Sequence, residues 1–298
     1  MNLLSPRYLC VSALSLLPLL PAFAEEQPVD AGADTVLQPV TVEARRRSEE
    51  AQQVPTPMSV LGAQALEEQR LYRLQDLQQA LPSVNVAFMH ARQSSLSIRG
   101  LGNNPASDGL EGSAGIYLDN VYLGRPGMAV FDLLDVEQLE LLRGPQGTLF
   151  GKNTTAGVLN ITTRKPSFTP QGTIATSIGE DGYAQTQGSF AGPLSETLAG
   201  RISAYHTEEN GYVKNDFNGH TLGEGKRQGF RSQLLYKPNE DFNLRWIADY
   251  NEENSSAGTR SLFSTGPTIN GVNRYEARAA QVGATLVDGR HVNLNADQ

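Results

Sequence analysis

Cysteine is all but missing from this 298-residue chain: there is one, Cys10. It sits near the start of an apolar N-terminal run, whereas a lipid-bearing cysteine would follow such a run. Past that run the chain therefore has no disulfide, no thiolate metal site and no cysteine nucleophile. Histidine is nearly as scarce. The four, His90, His206, His220 and His291, never fall at the i, i+4 spacing that sets two metal ligands on one helix face. Basic residues are also in short supply: 24 Lys and Arg stand against 32 Asp and Glu, a formal net charge of -8. That balance excludes the positive field that holds nucleic acid. Neither a G-x-S-x-G nor an H-E-x-x-H run occurs, so the usual marks of an exported hydrolase are missing. Beyond the N-terminal run, no stretch approaches the roughly 20 apolar residues of a membrane-spanning helix.

What is present begins with that run. Arg7 precedes an apolar stretch from Leu9 to Leu20, and Ala22-Phe23-Ala24 supplies an A-x-A cleavage pattern, so a signal peptide ending at Ala24 is predicted. Pro18 and Pro21 argue against a retained helix. Losing this leader removes Cys10 and a single charge, Arg7, which leaves an exported and still more acidic protein. From Glu25 to about Val54 the chain is polar, carries Pro28, Gly32 and Pro39, and lacks apolar periodicity, which predicts a mobile arm over 25–54. Within it, Val36 to Ala44 is an island of β-branched residues of the kind that adds as a strand to another sheet. Arg45-Arg46-Arg47 behind it reads as a solvated flank, with attraction to anionic surfaces as the other reading.

Between Pro55 and Pro166 short mixed elements follow. Leu66, Leu71, Leu74, Leu77 and Leu81 recur at near-helical spacing after Val60, predicting one amphipathic helix that Pro82 ends. Val84 to Val86 and Leu96 to Gly100 read as strands, Gly115 to Leu123 as a hairpin turning at Asp119-Asn120, and Asp132 to Gln138 as a short helix. The block Glu140 to Ile161, ELLRGPQGTLFGKNTTAGVLNI, is a strand that breaks into tight glycine-punctuated turns and returns as sheet. A phosphate loop at Gly151-Lys152 fails on spacing, because Gln146 holds the required glycine position and Asn153 follows the lysine.

After Pro166 the texture becomes stretches of about ten residues with alternating character. Phe242, Leu244, Trp246, Ala248 and Tyr250 would line one face of a strand, with Asn243, Arg245, Asp249 and Asn251 on the other and Ile247 out of phase. Weaker candidates are Thr173 to Gly179, Tyr183 to Ala191, Leu198 to Thr207 and Arg227 to Tyr236. Short turns at Glu180 to Gly182 and Lys237 to Asp241, against a long polar loop from Glu208 to Lys226, suit a membrane barrel. A soluble sandwich would show the same alternation, but the export signal disfavours it.

Three pieces in order, SIRG (Ser97 to Gly100), IYLDNVYLGR (Ile116 to Arg125) and Val136 to Pro166, resemble the plug of TonB-dependent outer-membrane receptors. The resemblance implies an α+β plug domain at 55–166 followed by the first strands of a transmembrane antiparallel β-barrel at 167–298. About 5 of the roughly 22 strands of such barrels would be present, so a truncated or partial product is expected. It implies a cell outer-membrane, Gram-negative location and active transport, most often of a ferric siderophore. Haem, cobalamin or an oligosaccharide, or a non-functional fragment, are the alternatives. No bond is made or broken and no cofactor or metal is called for. Pro39, Val40, Thr41, Val42, Glu43 and Ala44 resemble a TonB box, to which TonB would pair. Plug loops would meet the ligand at His90, Arg92, Asn104, Arg125 and Met128. Arg99 and Arg143, beside Glu140, would be the plug's contacts to the barrel wall, or an internal pair with that glutamate. Outer-membrane lipid is the remaining partner.

Overall fold

The computed structural model describes residues 40–43, 47–90, 93–102, 111–129, 132–255, 268, 273–281 and 291–292. Near the start, β1 (Thr41–Val42) and β2 (Glu49–Glu50) pair only with each other. β3 (Met58–Gly62) runs directly into α1 (Ala63–Glu68), and α2 (Leu77–Ala80) follows after a 3-10 turn. β4 (Val84–His90), β5 (Gln93–Ile98) and β6 (Leu101–Gly102) make a small antiparallel sheet. β7 (Ala114–Leu118), β8 (Val121–Leu123), β9 (Val136–Arg143), α3 (Gly147–Phe150) and β10 (Gly157–Thr163) complete this half. The larger sheet has the order β3-β9-β10-β7-β8, with only β10 and β7 parallel.

Strand periodicity sorts β9 and β10 between two layers. Leu139, Leu141, Leu159 and Ile161 face the leucines of the helical stretch, while Leu142 and Val158 face Val42, Val54, Tyr117 and Phe150 on the other side. Both faces are covered, which explains why these strands read as nearly continuous apolar runs.

Leu66, Leu71, Leu74, Leu77 and Leu81 all lie in the first cluster, but not on the single helix the spacing predicts. Val60 belongs to β3, and Arg70 takes a left-handed φ of 54° that stops α1. Helical geometry restarts when the amides of Tyr72 and Arg73 donate to the Asp76 carboxylate at 3.1 and 2.8 Å. The predicted helix at Asp132 to Gln138 is also corrected. Asp135 is left-handed at φ 55° and Val136 already pairs with Thr163, so a turn feeds directly into β9. The Asp119-Asn120 turn forms as predicted, with both residues at positive φ.

Gly157 opens β10 at a point of close approach. A Cβ there would stand 2.3 Å from the Leu142 carbonyl oxygen and 2.8 Å from Ile98 Cδ1, at a φ of +152°. Gly157→Ala is expected to destabilise this half by about 2–3 kcal/mol through forced backbone shift, read as a lower urea midpoint.

The second half is an antiparallel meander of β11 (Gln171–Ile178), β12 (Ala184–Pro193), β13 (Leu198–Asn215), β14 (Thr221–Tyr236) and β15 (Leu244–Ser255). Beyond it lie α4 (Arg274–Gln281) and β16 (His291–Val292), the latter parallel to the far end of β13. The long polar loop expected from Glu208 to Lys226 is mostly strand. β13 and β14 stay paired out to Lys214 and Thr221 across a bulge after Asn210, since polar side chains do not prevent pairing where water reaches both faces. The Glu180 to Gly182 turn lies at the same end of the meander as that hairpin tip, so short turns occur at both ends.

The polarity of this sheet is that of a membrane barrel rather than a sandwich. Ile174, Ile178, Phe190, Ile202, Phe230, Leu244, Trp246 and Tyr250 are exposed on the outside, whereas Arg201, Ser203, Thr207, Arg227, Arg231 and Gln233 are buried on the inside. On β15 the outer apolar run from Leu244 to Tyr250 covers about 20 Å of strand before Glu252 and Asn254 follow on the same face.

Candidate functional site

The residues read as a TonB box divide between the described and the rest: Val40, Thr41, Val42 and Glu43 are placed, while Pro39 and Ala44 lie outside the described residues. Mobility was expected up to about Val54. Instead, 40–43 and 47–54 pack on the sheet. The physical reason is Val42, fully buried among Val54, Tyr117, Leu142, Phe150 and Val158, an apolar side chain whose burial is worth about 1.5–3 kcal/mol. The Tyr117 hydroxyl donates to the Phe150 carbonyl beneath it, and the two rings meet edge to face at 4.9 Å.

Glu140 was expected against the barrel wall or paired with an arginine. It does neither. Its side chain is wholly buried and accepts from the Glu43 amide at 2.6 Å, Gln138 Nε2 at 2.8 Å and Asn160 Nδ2 at 3.1 Å. Alternation along β9 points it to the arm side of the sheet, away from the strands of the second half. Burial pushes its pKa upward, against the opposing pull of the Glu43 amide and the Asn160 amide. A carboxyl group raised in the folded state contributes stability that is full below the usual carboxylate range and is lost as pH rises through its folded value. Stability is therefore expected to decline more steeply above about pH 4.5 in the parent than in Glu140→Gln; parallel pH profiles of unfolding free energy would refute this.

Arg143 donates to Ser83 Oγ at 3.0 Å through Nε and to Ser59 Oγ at 2.7 Å through Nη2. Burial, and after it the positive charge of Arg99, depress its pKa. Arg99 itself is exposed, with a left-handed φ of 54°.

Of the expected ligand residues, the structure brings two together. Arg125 precedes the 3-10 turn at Pro126–Ala129 and Met128 lies within it, both exposed, with the Met128 amide donating to the Arg125 carbonyl at 2.9 Å. Met128 borders a cavity of 430 Å³ whose walls include Leu118, Asp119, Asp132, Arg231 and Asp249. His90 ends β4, its side chain outside what is described, and Arg92 and Asn104 fall outside the described residues.

The contacts that join the two halves among the described residues are ion pairs of residues other than those expected. Three buried aspartates of the first half meet arginines on the inner face of the second. Asp119 receives Arg231 Nη1 at 2.9 Å and Arg245 Nη2 at 3.3 Å, and it also holds Thr163 Oγ1 at 2.7 Å. Asp132 receives Arg227 Nε at 3.0 Å, Thr207 Oγ1 at 2.8 Å and Gln185 Nε2 at 3.1 Å. Asp135 takes both Nε and Nη2 of Arg201 and the Ser203 hydroxyl. The expected polarity is thus reversed: carboxylates belong to the first half and guanidinium groups to the wall. A signal existed in the sequence, since Arg201, Arg227, Arg231 and Arg245 all fall on the inner phase of their strands.

Comparison with known proteins follows the same lines. The family model of the TonB-dependent receptor plug domain matches residues 50–158. The pesticin receptor of Yersinia pestis is 28% identical over 206 residues, 67% of this chain and 29% of that protein. The iron-regulated outer membrane virulence protein of Vibrio cholerae is 28% identical over 240 residues, 75% of this chain and 36% of that protein. The crystal structure of the ferric yersiniabactin uptake receptor FyuA from Yersinia pestis superposes with a TM-score of 0.65 at 24% identity, over 70% of this chain and 33% of that one. The chain thus spans about a third of the length of the relatives it matches. A plug-domain match, a mixed sheet ion-paired to the polar inner face of an outwardly apolar meander, and these relatives agree: residues 50–158 match the plug domain of TonB-dependent receptors, and the fold is that of such a plug followed by adjoining strands of a barrel.

Proposed function

We propose that the protein this chain represents imports a ferric siderophore across the Gram-negative outer membrane, drawing energy from the inner membrane through TonB. One observation carries the reading: a plug fastened by buried aspartates to the inner wall of strands whose outer face is apolar, with a β-branched arm docked on that plug. Such a wall is built for lipid outside and for a stopper inside. Relatives named for iron regulation and for ferric yersiniabactin uptake favour an iron chelate as cargo.

In this reading residues 1–24 are the export leader, 25–54 the periplasmic arm with Pro39 to Ala44 as the TonB box, 55–166 the plug, and 167–298 barrel. His90, Arg92, Asn104, Arg125 and Met128 are the ligand residues in this reading, because guanidinium and amide groups suit oxygen-rich anions. Cargo captured outside and TonB engaged inside are two sites coupled through one domain.

The test is energised uptake against equilibrium binding. Cells bearing the full-length receptor are expected to accumulate ferric siderophore and to stop when a protonophore collapses the gradient, while surface binding persists. Uptake that ignores the protonophore would refute the proposal.

A further inference from the structure

The plug is fastened to the wall unevenly. Four ion pairs reach β13, β14 and β15: Asp135 with Arg201, Asp132 with Arg227, and Asp119 with both Arg231 and Arg245. Gln233 of β14 also donates to the Arg164 carbonyl at 3.1 Å, so the chain leaving the plug is held on that same side. β11 and β12 contain no charged residue, and among the described residues no ion pair reaches them. Two side-chain hydrogen bonds from the plug do. Gln185 Nε2 donates to Asp132 at 3.1 Å, and the Tyr72 hydroxyl meets Ser177 Oγ at 3.4 Å, longer than an ordinary hydroxyl bond.

The space between plug and wall is uneven in the same sense. A cavity of 400 Å³ parts α1 and the turn before β9 from β11 and β12, with Leu66, Tyr72 and Asp135 on one side and Thr173, Gln187 and Ser189 on the other. Strand alternation turns Thr173 and Ala175 of β11 inward, yet both are exposed, whereas the inward Arg201, Ser203 and Thr207 of β13 are buried.

We propose that the plug turns on the β13 to β15 seam when it is pulled, and that cargo passes along β11 and β12 through a gap that widens from this cavity. The proposal rests on the import reading above. Separating a buried Asp–Arg pair strands both charges away from water. Parting Tyr72 from Ser177 exchanges one neutral hydrogen bond for bonds to water, at little net cost. A force on the plug therefore opens the weakly held side first. Residues 165–170 lie between the Arg164 anchor and β11, slack that lets the plug move without drawing the strand along. The wall here also suits the traffic. Thr173, Gln187 and Ser189 offer hydrogen bonds of modest worth to a hydrated, oxygen-rich cargo. The charges that border the cavity, Glu67, Asp135 and Arg164, belong to the plug side and are already paired.

Cys10 is the only cysteine, so the full-length receptor with Cys10→Ser takes paired cysteines cleanly. Tyr72→Cys with Ser177→Cys, joined by a cleavable bismaleimide, bridges the weak side. Val121→Cys with Ile247→Cys joins the plug to β15 across the second cavity, which both residues border. Both bridged forms are expected to bind ferric siderophore at the parental affinity. The first bridge is expected to cut energised uptake to background until it is cleaved, and the second to leave uptake at the parental rate. Single cysteines give a readout without a bridge. During energised uptake Gln187→Cys is expected to react with a membrane-impermeant maleimide roughly tenfold faster than in unenergised cells, as a minor open state becomes common, while Ser203→Cys keeps its resting rate.

Uptake that survives the Tyr72–Ser177 bridge, or stops at the Val121–Ile247 bridge, overturns the proposal. A rise in labelling at Ser203→Cys with none at Gln187→Cys does the same. An unbridged receptor whose uptake ignores a protonophore overturns the import reading itself.

Discussion

Deleting Pro39 to Ala44 from the full-length receptor is expected to leave ferric-siderophore binding at the parental affinity and to cut energised uptake to the background of cells without receptor. The proposed ligand face and the arm sit on different parts of the plug: Arg125 precedes the turn after β8 and Met128 lies in it, whereas Val42 packs against Leu142 and Val158. Removing the arm takes Val42 out of its pocket and the Glu43 amide away from Glu140. It leaves the leucine-lined core on the opposite face intact. The stability cost is expected to stay near that of the Val42 contact, about 1.5–3 kcal/mol, so a cooperative urea transition at a moderately lower midpoint, with uptake lost altogether, separates a loss of coupling from a loss of fold. Uptake that survived the deletion would mean that force reaches the plug elsewhere.

The second large effect concerns the seam between plug and wall. Asp132→Ala is expected to cost about 3–5 kcal/mol, the range seen when one partner of a buried ion pair is removed. Arg227 is 5% exposed and would keep only the half-exposed Glu209 at 3.1 Å, while Gln185 and Thr207 would each lose an acceptor. The penalty is that of a charge stranded away from water, so adding Arg227→Ala is expected to recover part of it, and the double-mutant cycle measures how much. Native-state hydrogen exchange gives a direct readout: amides of β9 are expected to lose protection in Asp132→Ala. The exposed pair of Lys152 and Glu111, at 2.7 Å on the surface, is screened by solvent, and Glu111→Ala is expected to leave the same profile unchanged.

How far the sequence reveals this molecule depends on the range of the interaction. The hairpin at Asp119-Asn120 and the alternation of Leu244 to Tyr250 are local, set by residues within a turn or a strand, and they stand as read. The leucines from Leu66 to Leu81 are core as their spacing implies, yet the same spacing fits two short helices broken at Arg70, because burial constrains which side chains point inward and not the path between them. Asp132 to Gln138 has helical composition, and its partner β10 lies more than twenty residues away, so the pairing that makes it strand is invisible locally.

The candidate site divides in the same manner. A β-branched island is legible in Val36 to Ala44, but its docking is not, since the pocket for Val42 is assembled from residues between Val54 and Val158. Glu140 reads as a charge at a strand end, and only the structure shows that an amide nearly a hundred residues earlier fills its oxygen. The aspartate-to-arginine seam joins residues 66 to 126 positions apart. No window along the chain contains both ends. The inner phase of Arg201, Arg227, Arg231 and Arg245 was nonetheless written in the strands, and a plug carrying buried carboxylates is what four such arginines ask for.

The central claim is that β11 to β15 face lipid outside and a plug inside, and the chain supplies its own probe. Trp246 is the single tryptophan among 298 residues, and it stands 54% exposed on the outer face of β15. With the protein reconstituted in bilayers, its emission is expected to be quenched strongly by lipids brominated along the acyl chains and hardly at all by aqueous iodide. Efficient quenching by iodide with none from brominated lipid would place that face in water and contradict the account.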